Sequence, residues 1–320
     1  MRVIEVDRFG GPEELRLVEA PAPAPGAGEV AVDVAVADTL WVDTAIRAGQ
    51  AEQWFPIRPP YRPGAGVAGT VDAVGAGVDP GWTGRRVAVH TAAGGYADRV
   101  VVPADALVPV PDEVTLTDAA ALLHDGVTAF GLLDLVPVRA GDRVLVTAAA
   151  GGLGALLVQA AHAAGAVVVA AARGARKREA VRRLGADVVV DYSEPGWTDR
   201  VRAEAGDLDV VYDGAGGDHG RAAFALLRPG GRFSAHGAPA GGFAVPDPAQ
   251  AEARQITVTG ITDVQFDAAT MRRHLSSALV AVAAGRIRPL VGGTFPLDRA
   301  ADAHRAIEER AVVGKALLTV

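Results

Sequence analysis

Alternation of apolar and polar positions dominates the first hundred residues. "EVAVDVAVA" (29–37) follows the period of two that a half-buried β-strand requires, and "GVAGTVDAVGAGV" repeats it with glycine punctuation. "GRRVAVHTAAGGYADRVVV" holds two short strands around a turn, and the opening "MRVIEVDRFGG" alternates as well. Proline and glycine recur between these runs, as a barrel of many short strands requires. No sequence period repeats across them, so a solenoid is not expected.

The pattern changes at "TLTDAAALLHDGVTAFGLLDLV" (115–136), where Ala120, Leu123 and Val127 recur at helical spacing and Thr117 or Asp118 is expected to cap the helix. From Asp142 onward, short Val-rich runs alternate with helical segments. "RVLVTAA", "AVVVAAA", "DVVVDY", "LDVVYDGA" and "GGRFSAHG" read as strands; "GALLVQAAHAAG", "KREAVRRLG", "GWTDRVRAEA" and "HGRAAFALLRPG" lie between them. Near-continuous apolar strands separated by helices signal a parallel sheet covered on both faces. The end of the chain is mixed: a long helical pattern stopped by Gly285, the strand-like "TFPLD", a helix in "RAADAHRAIEERA" and a final strand "GKALLTV". The expected fold class is thus α/β, with a β-rich domain at 1–120, a doubly wound domain at 121–264, and a return at 265–320 that completes the first domain. A cleft is expected between the lobes, at the carboxyl ends of the sheet strands.

Composition narrows the chemistry. The 320 residues are 50% hydrophobic and 22% charged, with a net charge of −7 that gives no footprint for nucleic acid or an anionic membrane. Cysteine is absent, which removes disulfides, thiolate nucleophiles and Cys-ligated zinc. Seven scattered histidines without i, i+4 pairing predict no metal site, and His162, His274 and His304 read as surface or packing residues. Neither a leader peptide nor a membrane span is expected, and the cytoplasm is the expected compartment.

"VLVTAAAGGLGALLVQAAHAAG" (144–165) joins a strand to a helix through Ala149-x-Gly151-x-x-Gly154, a G-x-G-x-x-G with alanine first. Gly151 would let backbone approach a pyrophosphate, and Gly154 would let the helix pack closely on its strand. A packing turn alone would use the same glycines. The following strand, at the spacing of a βαβ unit, favours the nucleotide reading. That strand ends in "AAARGARKRE", with Arg173, Arg176 and Lys177 and no acid before Glu179. An acid there would bond a ribose 2′-hydroxyl; cations attract a 2′-phosphate instead. Basic residues also oppose the helix dipole at an N-terminus, which a bound phosphate would justify. NADPH is therefore the expected cofactor.

These motifs, with "RRLGADVVVDY", "YDGAGG", "LRPGGRFSAHG" and "GRIRPLVGGTFPLDRAADAHRAIEERAVVGK", resemble the zinc-independent medium-chain dehydrogenase/reductase superfamily, and most of all its quinone oxidoreductase and enoyl reductase branch. The resemblance covers nearly the whole chain. It implies a GroES-like catalytic domain and a Rossmann domain. It places Ala150, Gly151, Gly152, Leu153 and Gly154 on the pyrophosphate, and Lys177 and Tyr192, with Arg173 close by, at the adenosine 2′-phosphate. Thr128, Asp43, His236, Gly237, Ala238 and Lys315 match positions near the rest of the cofactor. It also implies a homodimer, for which "RQITVTGITDV" offers an edge strand, and a small-molecule substrate.

The departures from that family lie in the first domain. An asparagine expected near the nicotinamide is Leu40, a tyrosine two residues after Asp43 is Ala45, and an acid expected in the proline-glycine segment is Gly66. Neutral drift would explain them; so would a pocket remade for a larger apolar substrate, walled by Leu40, Trp41, Trp54, Phe55 and Tyr61. The expected reaction is hydride transfer to a conjugated carbonyl, either a quinone or an enone. Hydride at an enone's β-carbon creates enolate charge that a donor must meet. Thr128, Tyr61 and His124 are the candidates, with His236 as a fourth; the plainer reading has His124 in a helix turn and His236 stacked beneath the cofactor. A cyclase or isomerase without net redox, and a cofactor-binding protein without catalysis, are the alternative readings.

Overall fold

The computed structural model describes residues 1–320. They divide into two compact units: one of residues 1–127, 271–285 and 291–320, the other of 128–270 and 286–290.

The first unit opens with an antiparallel hairpin of β1 (Arg2–Val6) and β2 (Leu15–Glu19). β3 (Glu29–Asp38), the alternating run, leads through α1 (Trp41–Arg47) to β4 (Gly66–Val74), β5 (Arg86–His90), β6 (Arg99–Pro103) and β7 (Val108–Pro109). The helical pattern that follows resolves into α2 (Leu116–Leu122) and α3 (Asp125–Leu135), with Leu123 and His124 at their junction. Thr115 caps α2, its hydroxyl accepting from the Asp118 N–H at 2.9 Å. The expected caps Thr117 and Asp118 lie within the first turn, because the free hydroxyl nearest to the orphaned N–H groups belongs to Thr115.

The second unit alternates strand and helix: β8 (Arg143–Val146), α4 (Gly152–Ala163), β9 (Val167–Ala171), α5 (Ala175–Arg183), β10 (Val188–Val190), α6 (Trp197–Ala205), β11 (Leu208–Asp213), α7 (Gly217–Phe224), β12 (Leu227–Ala235), α8 (Pro248–Ala253) and β13 (Thr257–Gly260). All its strands pair in parallel, in the order β10-β9-β8-β11-β12-β13. This is the order of a Rossmann fold, and its direction reverses between β8 and β11. The apolar strands fill the core: Leu145, Val169, Val211 and Phe233 have no exposed surface.

α9 (Ala268–Ala283), β14 (Val291–Pro296), α10 (Ala300–Glu308) and β15 (Lys315–Thr319) complete the chain, and Gly285 at φ +68° takes the left-handed conformation just past α9. β14 and β15 join the first unit's sheet in the order β14-β15-β3-β4-β5-β7, with β6 also on β3. β15 pairs antiparallel with the end of β3, Leu317 opposite Asp38.

Phe233 packs edge-to-face on Phe224 at 5.3 Å. Phe233→Ala is expected to destabilise the protein by about 3–5 kcal/mol through the cavity it leaves, read from the denaturant midpoint.

Candidate functional site

In the second unit, the reversal of strand order sets two loops side by side at the carboxyl ends of β8 and β11. The Thr147 hydroxyl donates to the buried Asp213 at 2.7 Å and accepts from the Gly214 and Ala215 N–H groups at 3.0 and 3.1 Å. Asp213 also accepts from the Gly216 N–H at 3.1 Å. Burial pushes its carboxyl up, against the hydrogen bonds from Thr147 and the backbone. Neither residue was singled out in the sequence, although "VTAA" and "YDGAGG" contain them; their pairing arises only because β8 and β11 are neighbours.

The glycine turn sits on this pair. Ala148 takes φ +49°, and its carbonyl accepts from the Gly151 N–H at 2.9 Å. A Cβ on Gly154 would lie 2.6 Å from the Ala148 oxygen, so only glycine lets α4 pack this close to the turn. At Gly151 a Cβ would meet only that oxygen, at 3.3 Å. Gly151 is the N-cap of α4 and has no side chain to cap it, so the first N–H groups of the helix are left for another acceptor.

Beyond β9, Arg173 and Arg176 are exposed and form no ion pair, while Lys177 is half-buried. Gly174, at φ +83°, donates its N–H to Asp191 at 2.7 Å. Asp191 also receives the Ser193 hydroxyl at 2.6 Å. Burial opposes its charge, but these hydrogen bonds and nearby Arg178 hold its carboxyl below the usual range. Asp191 is an acid close to the basic cluster that the sequence did not reveal, yet its oxygens are committed to the loop. The half-buried Tyr192 packs against His219, ring centroids 4.7 Å apart. His236 follows β12; its Nδ1 lies 3.0 Å from the Ser234 hydroxyl. A Cβ on Gly237 would fall 2.0 Å from the Gly214 oxygen, so the loops after β11 and β12 touch through bare backbone. Ala238 is half-buried on the same loop, and Thr128 is half-buried in the first turn of α3.

The first unit holds a buried polar cluster. Lys315 Nζ lies 2.8 Å from Asp38 Oδ1 and 3.3 Å from Asp125 Oδ2, and His124 Nδ1 lies 2.7 Å from Asp38 Oδ2. Burial opposes the charge on Asp38, but Lys315 and His124 outweigh it and hold the carboxyl below its ordinary value. Burial pushes Asp125 up, only partly offset by Lys315. Burial also opposes the charge on Lys315, and the two carboxylates overcome it to raise its pKa. His90 Nε2 lies 2.9 Å from the Leu123 carbonyl, so that nitrogen carries the proton. The His90 and His124 rings meet edge-on at 4.8 Å.

Asp43 accepts from the Leu40 N–H at 2.9 Å and from the Tyr96 hydroxyl at 3.0 Å, and Tyr96 lies 3.2 Å from His304 Nε2. Its carboxyl, raised by burial, anchors the start of α1. Lys315 is likewise committed, to Asp38 and Asp125. Leu40 is half-buried, and Trp41, Trp54 and Phe55 are exposed. The Tyr61 hydroxyl is buried without a hydrogen-bond partner, and burial pushes it up to about 12. Of the three helical histidines, His162 is exposed, while His274 and His304 are buried.

A family model described as zinc-binding dehydrogenase matches residues 152–279, and one described as alcohol dehydrogenase GroES-like domain matches residues 26–112. The chain is 30% identical to quinone oxidoreductase of Rattus norvegicus, covering 99% of this chain and 97% of that protein. It is 32% identical to 2-haloacrylate reductase of a Burkholderia species, covering 98% of this chain and 97% of that one. A solved mycobacterial structure complexed with NADPH superposes with a TM-score of 0.89 at 36% identity, both chains covered in full. The chain belongs to the medium-chain dehydrogenase/reductase superfamily, oxidoreductases that combine a GroES-like domain with a Rossmann domain. Within it, the chain falls in the quinone oxidoreductase branch. The zinc in the first model's description has no counterpart in a ligand set here: no group of three His, Asp or Glu side chains is placed to hold an ion. No helix is long and apolar enough to cross a membrane.

Burial pushes His90 and His236 down to about 4 and His304 to about 3. All three are neutral in the fold at pH 7, whereas histidines of an unfolded chain bind protons near pH ~6.5. The unfolded state therefore holds more protons between these values. Their stabilisation is complete above pH ~6.5 and drains as pH falls through that window, by about 1.4 kcal/mol per histidine per pH unit. Denaturation midpoints should be lower at pH 5 than at pH 7.5, and His304→Gln should flatten the slope.

Proposed function

We propose that the protein is an NADPH-dependent reductase that delivers hydride to a conjugated carbonyl compound, a quinone or an enone. Two observations carry the choice of cofactor. The helix start at Gly151 has no cap of its own, and Arg173, just after β9, and Arg176, in the first turn of α5, have no acidic partner. A pyrophosphate fits the first, and the 2′-phosphate that separates NADPH from NADH fits the second. The mycobacterial structure that resembles this chain was solved with NADPH.

NADPH, when bound, supplies the hydride; the protein binds and orients. The backbone from Ala150 to Gly154 would hold the pyrophosphate, with Leu153 on the first turn of α4. Arg173, with Lys177 and Tyr192, would hold the 2′-phosphate. His236, Gly237 and Ala238 would line the nicotinamide end together with Thr128. The charged groups of Asp43 and Lys315 are already paired within the first unit, so any part they take in cofactor binding would come through the backbone they fix. Leu40, Trp41, Trp54 and Tyr61 would give the substrate an apolar surface. The exposed Val258 on the edge strand β13 is consistent with pairing to a second copy.

The test follows NADPH and NADH oxidation with an enone and with a naphthoquinone. NADPH is expected to be preferred, and Arg173→Glu is expected to raise its KM by on the order of tenfold or more, the worth of a charge-assisted hydrogen bond, with little effect on NADH. Equal use of both cofactors by the wild type would refute the assignment of the basic cluster.

A further inference from the structure

In the second unit, the basic turn after β9 is held from the neighbouring strand. β9 and β10 run in parallel, and just past β9 the Ala172 N–H still donates to the Val190 carbonyl at 3.0 Å. The next residue after β10 is Asp191, which is buried. Its Oδ2 accepts the Gly174 N–H at 2.7 Å, and its Oδ1 accepts the Ser193 N–H at 3.0 Å and the Ser193 hydroxyl at 2.6 Å. We propose that Asp191 is a positioning residue for cofactor choice: by gripping Gly174 and Ser193 it fixes Arg173 and Tyr192, and the preference for NADPH over NADH depends on that grip. The assignment rests on the reading of the basic cluster given above.

Three features support it. The first is connectivity. Arg173 immediately precedes Gly174, and Tyr192 lies between Asp191 and Ser193, so one carboxylate sets the backbone beside both side chains. The second is the looseness of the turn without it. Gly174 stands at φ +83°, and a Cβ there would meet nothing within 4 Å, so no packing fixes the residue. Its carbonyl begins α5 by accepting the Arg178 N–H at 3.1 Å, and its N–H goes to Asp191. The third is charge. Burial opposes ionisation of Asp191, yet the bonds from Ser193 and Gly174 and the Arg178 guanidinium, 3.8 Å away, hold it ionised. Asp191 thus has a cation of its own, and Arg173 and Arg176 stay unpaired. An acid with a free oxygen beside the ribose would select a 2′-hydroxyl. Both oxygens of Asp191 are engaged inside the loop. The far side of the turn is braced as well: Arg200 donates to the Asp191 carbonyl at 3.3 Å and lies 3.0 Å from Glu194, and the Tyr192 ring rests on His219.

Charge alone would give the opposite dependence. A carboxylate in a phosphate-binding region repels the phosphate, so its removal would tighten NADPH. Acting through position, Asp191 orders the groups that meet the 2′-phosphate before the cofactor arrives, and its removal weakens NADPH. NADH has no 2′-phosphate to place and is spared. The two accounts therefore differ in sign.

Two measurements test the assignment together: dissociation constants of NADPH and NADH by fluorescence titration, and hydrogen exchange of the Gly174 amide in the protein without cofactor. Asp191→Ala is expected to raise the NADPH constant by about tenfold or more, the worth of a hydrogen bond to a charged group, and to leave that of NADH within about twofold. Its Gly174 amide is expected to exchange faster than in the wild type. Asp191→Asn keeps an acceptor oxygen without the charge and is expected to fall between Asp191→Ala and the wild type on both readouts. NADPH bound by Asp191→Ala as tightly as by the wild type or more tightly, an equal loss of both cofactors, or an unprotected Gly174 amide in the wild type overturns the positioning role. Should Asp191→Ala bind neither cofactor, Asp191→Asn decides: a loss confined to NADPH supports the role, and any other result overturns it. In all these cases a wild type that prefers NADPH leaves the reading of the basic cluster standing. Equal affinity of the wild type for NADPH and NADH overturns that reading and the role of Asp191 with it.

Discussion

The ammonium of Lys315, buried between Asp38 and Asp125, ties together three distant parts of the chain: the end of β3, the start of α3 and the last strand. A buried charge left without its partner costs far more than a surface one. The first unit therefore depends on these three side chains arriving together. Around them, Thr39 donates to the Ala316 carbonyl at 2.7 Å, and Leu317 pairs with Asp38 in the sheet. The ion pair and the strand pairing fix the same register.

The second unit is organised instead by a hydroxyl and a buried carboxyl. Thr147 and Asp213 join the two strands on either side of the reversal, and their hydrogen bonds take up the backbone N–H groups of the loop after β11. Glycines then let the loops approach: Gly154 against Ala148, Gly237 against Gly214. The start of α4 lacks a side-chain cap, as do those of α5 and α6, and it is the one that follows β8, where a dinucleotide fold receives phosphate.

Much of this could be read from the chain alone. The doubly wound unit follows from Val-rich runs at βαβ spacing, and the glycine turn from Gly151 and Gly154, because both are local patterns. The Rossmann fold, the GroES-like unit and the superfamily stand as the sequence led one to expect. Long-range pairs were hidden. Nothing adjacent to Asp38 announces Lys315, 277 residues away, and Asp213 looks like an ordinary strand-end acid until β8 lies beside β11. The capping of α2 shows the same limit at short range: Thr115 and Thr117 are alike in type, and only backbone geometry chooses between them.

Because β15 supplies Lys315 and pairs with the end of β3, the first unit cannot finish until residues 315–319 have been made. Residues 29–38 leave the ribosome long before residues 315–319. Until then the end of β3 has an open edge there, and Asp38 keeps its water. The second unit has all its strands within residues 143–260 and can fold while synthesis continues. The order of assembly thus runs against the order of the chain: β3 precedes the second unit but is completed after it, by a strand that closes the sheet and a lysine that closes the charge.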